Sequence, residues 1–192
     1  MVLNITTRRW RSLRRRGIVL LCLLAISSTG CKPAQIRAQL NRMIGHTIVL
    51  PERITCVYKG DVFPMEDSIR NKAKLVIYID SSECHTCRLS QLPNYERLYH
   101  LADSTKKFDL VIMLGNTHFE SITLVQYLSD LNLDNPIYVD NERVFRFNNP
   151  IIPDESLFHT FFLTSDNKIK FVGDPIHNER VMAILERTLK TN

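Results

Sequence analysis

Little in this 192-residue sequence supports a membrane span, a flexible linker or a repeat. Its longest apolar run, residues 17–26, rises about 15 Å as a helix, half of a hydrocarbon core of roughly 30 Å. No second apolar stretch is long enough to span, and no long Gly/Ser segment interrupts the chain. Residues 1–30 contain no acid but six arginines (Arg8, Arg9, Arg11, Arg14, Arg15, Arg16) and the single tryptophan, Trp10. Without those six, 19 basic residues face 20 acidic ones, so the formal charge of +5 belongs to the leading stretch alone. The basic balance therefore gives no reason to expect a nucleic-acid partner. Two cofactor classes are also excluded. A c-type haem site needs a histidine directly after the second cysteine of a Cys-x-x-Cys, and Arg88 stands there. One such pair also lacks the second pair of ligands that a zinc ribbon requires.

What is present begins with a three-part leader. The arginine-rich stretch and the apolar run are followed by Ser27-Ser28-Thr29-Gly30 and then Cys31, the layout of a secretory signal peptide. Small residues directly before a cysteine resemble the lipobox of bacterial lipoproteins, in which that cysteine is acylated and becomes the new N-terminus. Ser28 occupies the place where a lipobox usually has leucine. The resemblance implies lipidation of Cys31; the plainer alternative is an ordinary signal peptide cleaved nearby.

The 44% hydrophobic content of the whole sequence supports one domain with a real core beyond Cys31. Residues 34–43 read as a short helix ended by Gly45, and 47–50 and 54–58 as strands broken at Pro51. Leu75-Val76-Ile77-Tyr78-Ile79, within residues 72–80, is a continuous apolar run of the kind buried on both faces in a parallel sheet. A helix over 84–101 carries Leu89, Leu92, Tyr95 and Tyr99 at steps of three and four, with Pro93 as a kink. A second strand follows at 110–114, a helix marked by Phe119, Ile122, Val125 and Leu128, and a third strand at 136–139. After an irregular stretch containing Pro150 and Pro153, residues 158–163 and 168–172 flank a hairpin turn at Ser165-Asp166-Asn167. Asn178 caps a last helix that turns Val181, Leu185 and Leu189 inward. Parallel βαβ units followed by an antiparallel ββα end predict an α/β three-layer sandwich.

The chemistry sits at the first strand-to-helix junction, in Cys84-His85-Thr86-Cys87. With the preceding strand and turn, this segment resembles the redox motif of thioredoxin-like proteins. Tyr138-Val139-Asp140, Val144-Phe145-Arg146-Phe147 and Thr160-Phe161-Phe162-Leu163 resemble the downstream half of the membrane-tethered TlpA and ResA type. The chain is also similar to thioredoxin-like lipoproteins of the Bacteroidetes. The resemblance spans roughly residues 47–190 and implies a thioredoxin-like fold in three parts: a lipoprotein signal peptide at 1–30, a tether and N-terminal extension at 31–70, and the thioredoxin-like domain at 71–192.

A helix start presents free N–H groups and partial positive charge, which lower a thiol's pKa. Cys84 is thus the expected attacking thiolate, and Cys87, three residues on, resolves the mixed disulfide. His85 and Thr86 lie between the sulfurs and tune their poise; a cationic His85 favours the Cys84 thiolate, while the charge of Glu83 opposes it. Two departures from the family stand out. Thioredoxins place a buried acid six residues before the first cysteine, and Tyr78 is there instead. They also place a cis-proline before the last hairpin, where His159 stands. Because a non-proline cis bond costs roughly 2.5–4 kcal/mol, the Phe158–His159 bond is expected to be trans.

Three functions fit these residues. The first is a thiol–disulfide oxidoreductase with no cofactor beyond its own redox-active disulfide, acting on exported thiol or disulfide proteins with a redox partner. It would be tethered in the periplasm or cell envelope by lipid. The second is a Sco-like copper protein with Cys84, Cys87 and His159 as a soft S,S,N ligand set. The third is a redox-inert thioredoxin-like binding module in a larger cell-envelope assembly, and Cys84 and Cys87 could also form a fixed structural disulfide. Cys56 reads as a small buried hydrophobe or as a third thiol. His159 reads as a satisfied loop histidine or as a group facing the dithiol. His46, His100, His118 and His177 read as surface or capping residues.

Overall fold

Six consecutive buried residues in Lys74–Ile79 set the architecture, because a strand covered on both faces must lie inside a sheet between two layers. The computed structural model describes residues 31–52, 54–80, 90–115, 121–140 and 142–191. The expected signal segment, residues 1–30, lies outside them. By contacts the chain divides into Met1–Asn41 and Arg42–Asn192. Of the first unit, the described residues belong to helix α1 (Cys31–Met43), which begins three residues earlier than its apolar pattern suggested. It ends as expected before Gly45, whose φ of 79° few other residues tolerate.

The second unit holds β1 (Thr55–Tyr58), β2 (Asp61–Pro64), α2 (Asp67–Arg70), β3 (Lys74–Ile79), α3 (Glu96–Thr105), β4 (Asp109–Gly115), α4 (Ser121–Asp130), β5 (Ile137–Asp140), α5 (Val144–Asn148), β6 (Thr160–Leu163), β7 (Ile169–Val172) and α6 (Glu179–Thr191). The seven strands form one sheet in the order β2-β1-β5-β4-β3-β6-β7. β3, β4 and β5 run parallel, while β6 is antiparallel to β3 and β7 to β6. This is the expected βαβ then ββα plan of a thioredoxin-like fold.

Alternation splits the core in two. Leu75, Ile77 and Ile79 join Ile112, Leu114, Ile137, Val139 and Phe162 on one face, packed by Leu98 of α3, Leu124 and Leu128 of α4, and Leu185 and Leu189 of α6. Each such side chain contributes about 1.5–3 kcal/mol by leaving water. The other face carries Val76 and Tyr78. Phe145 of α5 lies 5.1 Å from the Tyr78 ring and stacks on Phe161 at 6.5 Å.

Several expectations are corrected here. Residues 47–50 are no strand: Thr47 makes a single bridge to Lys168, and the Val49 N–H and C=O both pair with the side-chain amide of Asn149. A side chain thus takes the place of a neighbouring strand. β2 was not anticipated, because all four of its residues are exposed and show no apolar alternation. The 31–70 extension supplies two strands of the sheet, with β1 antiparallel to β5. The helix expected to end at 101 runs to Thr105, where Lys106 closes it at φ 54°. The Pro93 kink is a 3₁₀ turn, Leu92–Tyr95, ahead of α3. The irregular stretch after β5 contains α5 and a second 3₁₀ turn, Ser156–Phe158. Asn178 does cap the last helix, its Oδ1 accepting the Arg180 N–H at 3.0 Å. Among the described residues no helix is long and apolar enough to cross a membrane.

Candidate functional site

Because β3, β4 and β5 are parallel and in register, their C-terminal ends share one edge of the sheet. In open α/β sheets that edge is where ligands and reactive groups collect. Cys84 follows Asp80 by four residues in the chain. Glu83, Cys84, His85, Thr86 and Cys87 lie outside the described residues, as does His118. Cys31 begins α1. What the structure gives is the frame around the strand end from which the dithiol segment departs.

Two buried carboxylates anchor that frame. Asp80, directly after β3, is almost fully buried, and both its oxygens lie 3.3 Å from Nη2 of Arg143. Nε of Arg146 is 3.4 Å away, and the same guanidinium reaches Asp154 through Nη2 at 2.6 Å. The charge placed in the apolar edge is thereby matched by two cations, which a buried ion requires. Asp140, at the end of β5, accepts the N–H groups of Val144 at 2.9 Å and Phe145 at 3.0 Å, which starts α5. Burial pushes its carboxyl above the usual carboxylate range, against the pull of those two donors.

Tyr78, six residues before Cys84 in the sequence, lies on β3. Its ring is fully buried, and its hydroxyl has no hydrogen-bond partner among the described residues. Burial first, then the charges of Asp80 and Asp140, raise the phenol's pKa, so the hydroxyl keeps its proton. Gly115 makes room for the ring, since a Cβ there would sit 2.0 Å from the Tyr78 oxygen.

His159 is fully buried, lies edge-on to Tyr78 at 5.9 Å, and its Nε2–H donates to the Pro153 carbonyl at 2.9 Å. That bond fixes the Nε2–H tautomer. Its own carbonyl receives the Tyr78 N–H at 2.9 Å, so the loop is pinned to β3. As expected, the Phe158–His159 bond is not cis. Alongside opens a groove of about 810 Å³ lined by Arg143, Arg146, Phe147, Pro150, Pro153 and Asp154. The Phe147 ring on its wall is 86% exposed.

The structure therefore brings His159 beside Tyr78 and Asp80 near Arg143 and Arg146. The last three were not singled out from the sequence; the signal was a charged residue closing an apolar strand and an Arg-x-x-Arg spacing on α5. Cys56 lies elsewhere, buried on β1 opposite Tyr138. Burial, helped by the charge of Glu66, pushes its thiol up to about 12, so it behaves as the small buried hydrophobe expected and not as a reactive third thiol.

No family model matches the chain. No curated protein matches it either. Solved structures do. AhpC of Enterococcus faecalis superposes with a TM-score of 0.53 at 13% identity, over 76% of this chain and 92% of that one. A Chlorobium tepidum protein assigned as thiol:disulfide interchange protein DsbE gives 0.51 at 13% identity, over 76% of this chain and 97% of that one. A Bacteroides vulgatus protein assigned as a thiol-disulfide oxidoreductase gives 0.51 at 13% identity, over 77% and 97%. At such identities the likeness speaks to architecture, and it agrees with the strand order above: the chain has a thioredoxin-like fold.

Proposed function

We propose that the chain is a thiol–disulfide oxidoreductase of exported proteins, working through Cys84 and Cys87 and held at a membrane in the periplasm or cell envelope by lipid on Cys31. The observation that carries the reading is the position of Cys84-His85-Thr86-Cys87 in the sequence, five residues beyond Ile79, the buried end of β3 in a thioredoxin-like sheet.

In the reducing direction the Cys84 thiolate attacks one sulfur of a client disulfide. That S–S bond breaks, a mixed disulfide forms, and the second client sulfur leaves as a thiolate and takes up a proton. The Cys87 thiolate then attacks Cys84 and releases the first client sulfur. The client is reduced by two electrons, the Cys84–Cys87 pair is oxidised, and a redox partner restores it. With a neutral tyrosine where thioredoxins hold a carboxylate, Cys87 cannot lose its proton to that position. His85, Thr86, Glu83 and His159 are the groups proposed to set the poise.

Equilibration of the detergent-solubilised chain with glutathione buffers, followed by alkylation, tests this reading. Cys84 should label first, and Cys87→Ser should accumulate mixed disulfides. Preferential labelling of Cys87 reverses the roles, and a pair that never exchanges overturns the function. Mass spectrometry of the N-terminal peptide should find acylated Cys31; an unmodified terminus downstream of it removes the anchor.

A further inference from the structure

Away from the dithiol edge, the start of α3 carries a second cluster of chemistry-bearing side chains. Glu96 and His100 are one helical turn apart on the same face, and Asp134 comes from the turn leading into β5. One donor atom from each lies within 4.8 Å of the others. Glu96 is held in place: its Oε1 accepts the backbone N–H of Asp134 at 3.1 Å. Its Oε2 is buried with no hydrogen-bond partner among the described residues and stands 3.9 Å from Nε2 of His100. That gap is too long for a hydrogen bond. It is within about 0.5 Å of the ~3.4 Å that separates two ligands on a tetrahedral zinc with bonds of about 2.0–2.1 Å.

We propose that Glu96, His100 and Asp134 form a binding site for a divalent first-row transition ion, zinc being the best match. One imidazole and two carboxylates suit a borderline divalent ion and exclude Cu(I), which selects thiolate and thioether sulfur. A carboxylate oxygen stripped of water without a partner is costly, and a cation in the gap offsets that cost. His100 and Asp134 are 65% and 52% exposed, which leaves an entry path and room for water to complete the coordination. Lys59 opposes it: its Nζ lies 3.5 Å from Oδ1 of Asp134 and competes for the same charge. A bound ion joins α3 to the turn entering β5, independently of any function of the cysteines.

Zinc titration by calorimetry tests the site, using the solubilised full chain with Cys84→Ser and Cys87→Ser so that thiolates cannot contribute. The expected result is one equivalent bound. His100→Ala and Glu96→Gln should each weaken binding tenfold or more, and Lys59→Ala should tighten it several-fold by removing the competing ammonium. A gain in Lys59→Ala cannot arise from a misfolded chain, so it supports the site whatever the other variants do to folding. No zinc in the parent, equal affinity in His100→Ala, or unchanged affinity in Lys59→Ala overturns the proposal.

Discussion

Tyr78→Phe deletes one atom, the phenolic oxygen, from the middle of the second core. A hydroxyl that has left water without gaining a partner costs about 1–3 kcal/mol, and this one has none among the described residues. The void left behind is on the order of 10–15 Å³, which at ~24 cal/mol per Å³ takes back about 0.3 kcal/mol. The phenyl ring keeps its contacts with Phe145 and His159. The variant should therefore be more stable by about 1–2.5 kcal/mol, a rise in Tm of roughly 3–8 °C for a unit of this size. Urea unfolding in both fully reduced and fully oxidised buffers measures it. A loss of 1 kcal/mol or more would show that the oxygen makes a favourable contact and refute the reasoning. The same variant examines the chemistry. Since burial and two nearby carboxylates keep the phenol protonated, disulfide exchange should stay within about twofold of the parent. A tenfold fall would give the hydroxyl a part in proton transfer.

Three further outcomes follow from the geometry. Gly115→Ala places a methyl group 2.0 Å from the Tyr78 oxygen and 2.6 Å from its Cζ. It should destabilise by about 1–3 kcal/mol in thermal melts, with rescue by Tyr78→Leu but not by Tyr78→Phe, which leaves the Cζ clash. Asn149→Ala removes bonds to the Val49 N–H, the Val49 C=O and the Phe145 C=O. The buried groups left unpaired should cost about 2–4 kcal/mol and expose the backbone near Val49 to hydrogen exchange. Lys74, fully buried and donating to Arg70 C=O and Asn167 Oδ1, has its pKa pushed down to about 8 by burial. Below pH 8 both folded and unfolded chains carry its charge and the fold bears the desolvation cost. From there up to an ordinary lysine pKa near 10.4, the folded chain binds fewer protons, so stability should rise with pH by up to about 3 kcal/mol. Lys74→Met should flatten that slope in urea titrations between pH 7.5 and 10; an equal slope in both chains would refute it.

The strands that could be read in advance were those whose burial is continuous. Leu75–Ile79 could hardly be exposed, and its length ruled out a buried helix. The last helix was legible because Asn178 signalled its start and Val181, Leu185 and Leu189 its inner face. The 47–50 segment misled for a physical reason. Ile48 and Leu50 are buried and Val49 is half exposed, the alternation of a strand, yet its partner is an asparagine one hundred residues away. Asp80 and Arg143 are 63 residues apart, and nothing local to either announces the other. Cys84-His85-Thr86-Cys87 stood out in the sequence through its place after β3, and it lies outside the described residues. The unpaired Tyr78 hydroxyl, the Asp80 cations and the buried seat of His159 depend on how distant segments pack, which no short spacing encodes.

One edge of the sheet bears on how such molecules live side by side. Among the described residues β2 pairs with β1 on one side only, and its Val62 and Phe63 are 56% and 37% exposed. An open strand of this kind can recruit another extended chain. A protein tethered to a surface, as proposed here, meets its own copies at far higher local concentration than a free one. The strand that faces that crowd is four residues long, starts with the charge of Asp61 and stops at Pro64, which has no N–H to offer. Its brevity and its two end residues thus act as a guard against sheet-to-sheet polymerisation, and Pro64 is where that guard is most easily lost.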